Sequence, residues 1–153
     1  LLATFLGTLA MWWLYFGTSS KDATDAIVHS SDPGRMGAYL HYIHAILLAG
    51  IIASAVGNDL VMAHPHGHAD AAQAAMLIAG PAIYLLGSAV YKKVVYGRVP
   101  LSHIAGAAAL LALVPITRSV SLLAMGWLTL AVILAVAAWD LRAGRRGQGL
   151  GRA

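Results

Sequence analysis

The chain has 153 residues, enough for about one domain, yet only 10% of them are charged and 59% are apolar, with a mean hydropathy of +0.74. Water-soluble chains carry about 25% charged residues, so this composition excludes a soluble globule, and it excludes a disordered polymer as well. Cysteine is absent, which removes disulfide frameworks, thiolate metal sites and thiol nucleophiles. The net charge of +4 comes from ten basic residues scattered singly or in pairs, without the basic stripe that a nucleic-acid partner would need. A lipid bilayer is the partner this composition calls for.

A spanning helix takes about 20 mostly apolar residues, and the chain offers about five such stretches. The first, 1–16, is uncharged but short, and it begins with Leu rather than Met, as a trimmed piece of a longer chain would. A polar segment, Gly17 to Arg35, reads as a loop because of its Ser, Thr and Asp content and its Asp32-Pro33-Gly34 turn. The second span is 36–63, and a linker with His64, His66 and His68 follows it. The third is 71–91, with Lys92, Lys93 and Arg98 crowding the loop beyond. Pro100 opens the fourth, 100–116, and the fifth is 122–139. Residues 140–153, rich in Arg and Gly, read as a solvated, poorly ordered cytoplasmic tail.

With five spans, nine of the ten basic residues fall on one side of the membrane and only Arg118 on the other. That asymmetry supports the parse and puts the C-terminus in the cytoplasm and the histidine linker outside. Backbone groups in lipid must be satisfied within each segment, and runs this long are helices rather than barrel strands. The expected fold is therefore all-α, a polytopic transmembrane helix bundle. Ala45, Ala49, Ala53 and Gly57 form a small-residue ridge for close helix packing, whereas the fifth span lacks one and reads as lipid-facing.

Ionisable groups inside a bilayer are the best pointers to a site. His41 and Asp59 share a face of the second span about 27 Å apart, with His44 one turn from His41 and apolar residues between. They either handle a proton or cation at the two mouths of a route or hydrogen-bond locally at headgroup level. The linker histidines with Asp70 raise a metal site, but H-x-H-x-H does not preset a tetrahedron, and no metal or other cofactor is assigned. In the third span Pro81 frees the Leu77 carbonyl, and Tyr84, Ser88 and Tyr91 lie near one face; they line an opening or bond between helices. Ser102 and His103, at the start of the fourth span, either join His41 and His44 in a three-imidazole cluster or serve as a cap and a headgroup contact. No Ser-His-Asp order or nucleotide loop stands out, and Glu is absent, so no catalytic residue is assigned. Trp12, Trp13 and Tyr15 read as an interfacial aromatic belt.

Several strings, in order and spacing, resemble the bacterial low temperature requirement protein A (LtrA) family. They are Trp12-Trp13-Leu14-Tyr15-Phe16, Asp32-Pro33-Gly34-Arg35, Tyr39-Leu40-His41, Leu48-Ala49-Gly50-Ile51-Ile52, Ala63-His64-Pro65, Gly80-Pro81-Ala82 and Gly97-Arg98-Val99-Pro100-Leu101-Ser102-His103. Two positions depart from the family pattern: Gly17 stands where an acid is expected, and Asn58-Asp59 where Asp-Glu is expected. The resemblance implies a polytopic bacterial membrane protein about twice this length, of which this chain is the C-terminal part. The missing N-terminal spans of the parent are then its partners, and assembly with further copies of itself is compatible.

The favoured role is transport or permeation of a small solute or ion, with His41, His44, Asp59, Tyr84, Ser88 and His103 along the route. The alternatives are a structural or regulatory membrane protein tied to growth at low temperature, or a membrane-embedded enzyme acting on lipid. Whether the protein is an enzyme is left undecided, leaning against.

Overall fold

A computed structural model of the chain describes residues 1–16, 20–64, 66 and 70–150, and gives the backbone alone at 20, 21 and 144–150. Six α-helices and one 3-10 turn account for most of it, and there is no β-strand among the described residues. The helices are α1 (Leu2–Phe16), α2 (Ser20–Val28), α3 (Pro33–Ala63), α4 (Ala71–Tyr96), α5 (Leu101–Ala112) and α6 (Leu122–Leu150). The 3-10 turn, Val114–Ile116, extends α5.

Local chemistry sets these limits. Asp32 caps α3 by accepting the Arg35 amide at 3.0 Å, with Pro33 in the first turn, where its missing N–H costs nothing. Asp70 and Gln73 form a reciprocal capping box at the start of α4. At the other end of α4, Gly97 takes the left-handed conformation (φ 72°), which only glycine adopts without steric cost. The Asp32-Pro33-Gly34 string is thus the entrance to a helix and not a loop. The polar stretch before it is also not all loop, because 20–28 coil into α2, with Asp22 in the first turn, where the helix dipole favours an acid.

Helices α3 and α4 and the Leu122–Ala143 part of α6 are each long and apolar enough to cross a membrane, while α1 and the 101–116 segment are shorter apolar helices. Successive helices from α3 to α6 run antiparallel, whereas α1, α4 and α6 run the same way. Tyr15 near the end of α1 meets His44 near the start of α3 and Tyr91 near the end of α4. Lys92 on α4 reaches Asp140 on α6, which also meets Ser102 at the start of α5. Large apolar side chains such as Phe5, Leu9, Ile52, Val56 and Leu111 stay on the outside, as expected of a surface wetted by lipid tails.

The seam between α3 and α4 is the tightest in the bundle, and it shares only Gly57 fully with the expected ridge. Ala45 and Ala49 are exposed; the buried stripe is Ile43, Leu47, Gly50, Ser54, Gly57 and Val61. Gly50 lies against the Tyr84 backbone, Gly57 against Leu77, and Gly80 of α4 against Ser54. Small residues are used where backbones meet, but the meeting face was set by alternation with Ile and Leu, which a search for small residues alone does not see.

Helix α6 is not merely lipid-facing. Leu122, Met125, Leu130, Ile133 and Val136 are buried, and the helix packs on α1 and α5. The small residue that permits the approach is on the partner, Gly106 of α5, where a Cβ would fall 2.4 Å from Val136 Cγ2. Nor does α6 stop at Trp139: it continues as helix to Leu150, and Asp140, expected to head a solvated tail, is held inside the bundle.

Candidate functional site

Polar groups buried among α4, α5 and α6 form one connected network. Tyr84, Ser88 and Lys92 recur every four residues along α4, so they stack on one face, and all three are buried. His103 of α5 is fully enclosed between two hydroxyls, with Ser88 Oγ 3.1 Å from its Nε2 and Ser102 Oγ 3.1 Å from its Nδ1. Ser102 in turn donates to Asp140 Oδ1, and the Lys92 ammonium donates to Asp140 Oδ2. The carboxylate lies 3.7 Å from His103 Nδ1.

The donors fix one consistent arrangement. Because the Ser102 proton goes to Asp140, its oxygen accepts from His103 Nδ1–H, which leaves Nε2 free to accept from Ser88. Every link from Ser88 through His103 and Ser102 to Asp140 then points the same way. Such a chain can pass a proton by a concerted shift along its bonds, and the Lys92 charge balances the carboxylate at its end.

The same set contains a serine, a histidine and an aspartate, the composition of an acyl-transfer triad that spacing along the chain did not reveal. The geometry departs from a triad in two respects: Ser102 stands between His103 and Asp140, and Ser88 is only 3% exposed. An acyl substrate would reach that hydroxyl only if α4 and α5 parted.

A second polar region lies at the same end. His41 and His44 of α3 line a cavity of about 290 Å³ with Tyr15, Tyr91 and, from α2, Ala23, Thr24 and Ile27. Tyr15 Oη is 3.1 Å from His44 Nδ1, and the Tyr15 ring is 6.2 Å from that of Tyr91. Helix α2 covers this cavity and is tied to α4 by the Tyr96 hydroxyl, which donates to Asp22 at 2.8 Å.

The expected site residues therefore separate into groups. His41 and His44 share the covered cavity; Ser88 and His103 share the buried network; Tyr84 is wholly enclosed and donates to the Met11 carbonyl of α1. Asp59 is exposed near the far end of α3. The three imidazoles do not converge, since His103 points into the contact of α4 with α6. Ser102 is no cap, because its hydroxyl is committed to Asp140. In the histidine linker, Asp70 caps α4 and His64 ends α3, whereas Pro65, Gly67, His68 and Ala69 lie outside the described residues. Among the described residues no three His or acidic side chains gather as a metal-binding group.

Lys92, Ser102 and Asp140 were not foreseen as a unit. The available signal was the four-residue spacing of Tyr84, Ser88 and Lys92, which puts the lysine on the inward polar face rather than in the following loop.

An all-α bundle with long apolar helices and large apolar side chains on its exterior defines an integral membrane protein. The chain belongs to the bacterial low temperature requirement A protein (LtrA) family, whose model matches residues 1–138. It is 34% identical over 138 residues to the uncharacterized protein RA0937 of Rhizobium meliloti (strain 1021), a match covering 90% of this chain. The chain spans about a third of that relative's length (34%). The family match does not support the expectation that this is specifically the C-terminal part. No solved structure matches the chain.

Proposed function

We infer that the protein takes part in moving a small solute or ion across the membrane, with a proton as the moving or coupled species. The observation that carries this reading is the oriented hydrogen-bond chain Ser88–His103–Ser102–Asp140, ending on the buried Lys92. Ionisable groups in a bilayer are costly and tend to be retained for a pathway, and a relay of alternating donors and acceptors is a means of carrying protons. In this reading the chamber with His41 and His44 is a vestibule and Tyr84 lies on the route between the bundle's centre and Ser88. Asp59 marks the opposite mouth. The excess of Lys and Arg at the vestibule end supports placing that end, and the end of α6, on the cytoplasmic side of a bacterial inner membrane.

The test is proton flux into proteoliposomes containing the full-length protein, driven by a potassium diffusion potential and read with an internal pH dye. Flux above that of protein-free vesicles is expected, lost in Ser88→Ala and His103→Gln and retained in Tyr42→Phe, whose ring is on the outer surface. Equal flux in all four proteins would remove the relay, and no flux in the intact protein would remove the transport reading. A structural or regulatory role is favoured by one observation, the 0% exposure of His103. Under that role both site variants lose stability and no flux is seen at all.

A further inference from the structure

Between α1, α3, α4 and α6 lies a small cavity lined by, among others, Gly7, Ser54, Asn58, Leu77, Pro81 and Thr129. No lining side chain is ionisable, and three polar side chains stand in an otherwise apolar wall. Ser54 and Asn58 contribute from α3 and Thr129 from α6, while Pro81 has no N–H to give the Leu77 carbonyl one turn back. Thr129 is 7% exposed, and its hydroxyl oxygen has no hydrogen-bond partner among the described residues. The contrast with Ser54 is informative. Ser54 satisfies itself by donating to the Gly50 carbonyl at 2.8 Å, the usual local remedy for a hydroxyl in an apolar helix, and Thr129 does not.

We propose that this cavity is a binding site for one neutral, water-sized hydrogen-bonding molecule, held between the Thr129 hydroxyl, the polar groups of Ser54 and Asn58, and the Leu77 carbonyl. The cavity measures about 30 Å³, above the roughly 10–15 Å³ that one water needs and below the volume of a solute with several heavy atoms. A buried water typically makes about three hydrogen bonds, and this wall offers the unpartnered Thr129 hydroxyl, the Asn58 amide and the Leu77 carbonyl that Pro81 cannot reach with an N–H. A cation would sit here with no carboxylate to balance it, which the low dielectric opposes. Water is the occupant this chemistry selects, and the site does not depend on the transport reading.

Two buried methionines allow a direct test. Met11 lines the cavity at 6% exposure, whereas Met125 is packed in the apolar core at 0%. Radiolytic hydroxyl labelling of the full-length protein in lipid nanodiscs, read by mass spectrometry, generates radicals from bound water. Met11 is expected to be oxidised severalfold faster than Met125. Thr129→Val should bring Met11 down to the Met125 rate without raising the melting temperature, and Thr129→Ser should keep the labelling. Equal labelling of the two methionines in the unaltered protein overturns the site. So does a higher melting temperature in Thr129→Val, the behaviour of a dry cavity relieved of an orphan hydroxyl. Stabilisation by sodium that Thr129→Val abolishes would assign the site to a cation and overturn the neutral occupant.

Discussion

Replacing Gly80 by alanine adds one methyl group at the place where α3 and α4 touch backbone to backbone. The new Cβ would lie 2.5 Å from the Ser54 amide nitrogen and 2.9 Å from the Ala53 carbonyl carbon, where ordinary contact begins at 3.4 Å. These neighbours are main chain and cannot rotate away, so the helices must separate locally by about 1 Å, a gap that forfeits a quarter to a half of each dispersion contact along the seam. Overpacking of this kind costs about 1–3 kcal/mol, against a helix-propensity gain of about 0.5–1 kcal/mol for Gly→Ala. The expected net effect is a loss of about 1–2 kcal/mol. Gly50→Ala should behave alike, its Cβ falling 2.7 Å from the Tyr84 amide nitrogen. The double variant should lose less than the sum, because one separation relieves both clashes. Gly37→Ala is the control: nothing lies within 4 Å of its added Cβ, and it should gain about 0.5–1 kcal/mol. Equilibrium unfolding in mixed micelles measures all four. A Gly80→Ala protein as stable as Gly37→Ala would refute the backbone contact and with it the register of the two helices.

The buried ion pair makes the second prediction. Lys92→Met leaves the Asp140 carboxylate without its cation, at side-chain exposures of 9% and 19% in the intact pair, and should cost about 3–5 kcal/mol. Lys92→Met with Asp140→Leu should recover much of that loss in the same unfolding assay, since both charges leave together; a single variant within about 1 kcal/mol of the parent would mean that the pair is solvated. Tyr84→Phe removes the hydroxyl that donates to the Met11 carbonyl and should cost about 1 kcal/mol while loosening α1. Hydrogen exchange over 2–16 would register the change, and unaltered protection there would show that α1 is held by apolar contacts alone.

The spans were legible because the bilayer imposes a length and a polarity that any helix crossing it must show. The second and third stretches, 36–63 and 71–91, reappear as α3 and α4 with a few residues added at two of their four ends. Helix α2 was not legible: nine residues with a lysine, two aspartates and two hydroxyl side chains look like a loop until α3 and α4 provide a surface for them. The candidate site was read in halves. Ser88, His103, Tyr84 and the two histidines of α3 were picked out by their cost in lipid. Lys92 and Asp140 were assigned to a loop and a tail, because each follows the last apolar residue of its stretch and hydropathy cannot tell a terminus from an inward-facing turn beyond it. Only the meeting of α4, α5 and α6 brings the two charges together.

That meeting gives α4 a particular place in the bundle. Tyr84, Ser88 and Lys92 climb one face at four-residue intervals, and each finds its partner on a different helix: Met11 of α1, His103 of α5 and Asp140 of α6. The small residues of the same helix, Gly80 foremost, meet α3. In lipid the hydrophobic effect cannot decide which helices become neighbours, because an apolar side chain is as well solvated by acyl chains as by another helix. Close backbone contact and polar groups that must be satisfied do decide it. Helix α4 carries both, the first toward α3 and the second toward α1, α5 and α6, so its sequence specifies the arrangement of its four larger neighbours. The polar face that organises the bundle also holds the hydrogen-bond chain proposed as a relay, so a substitution there acts on assembly as well as on the proposed proton movement unless, as with Ser88→Ala, it removes a single hydroxyl and leaves the ion pair intact.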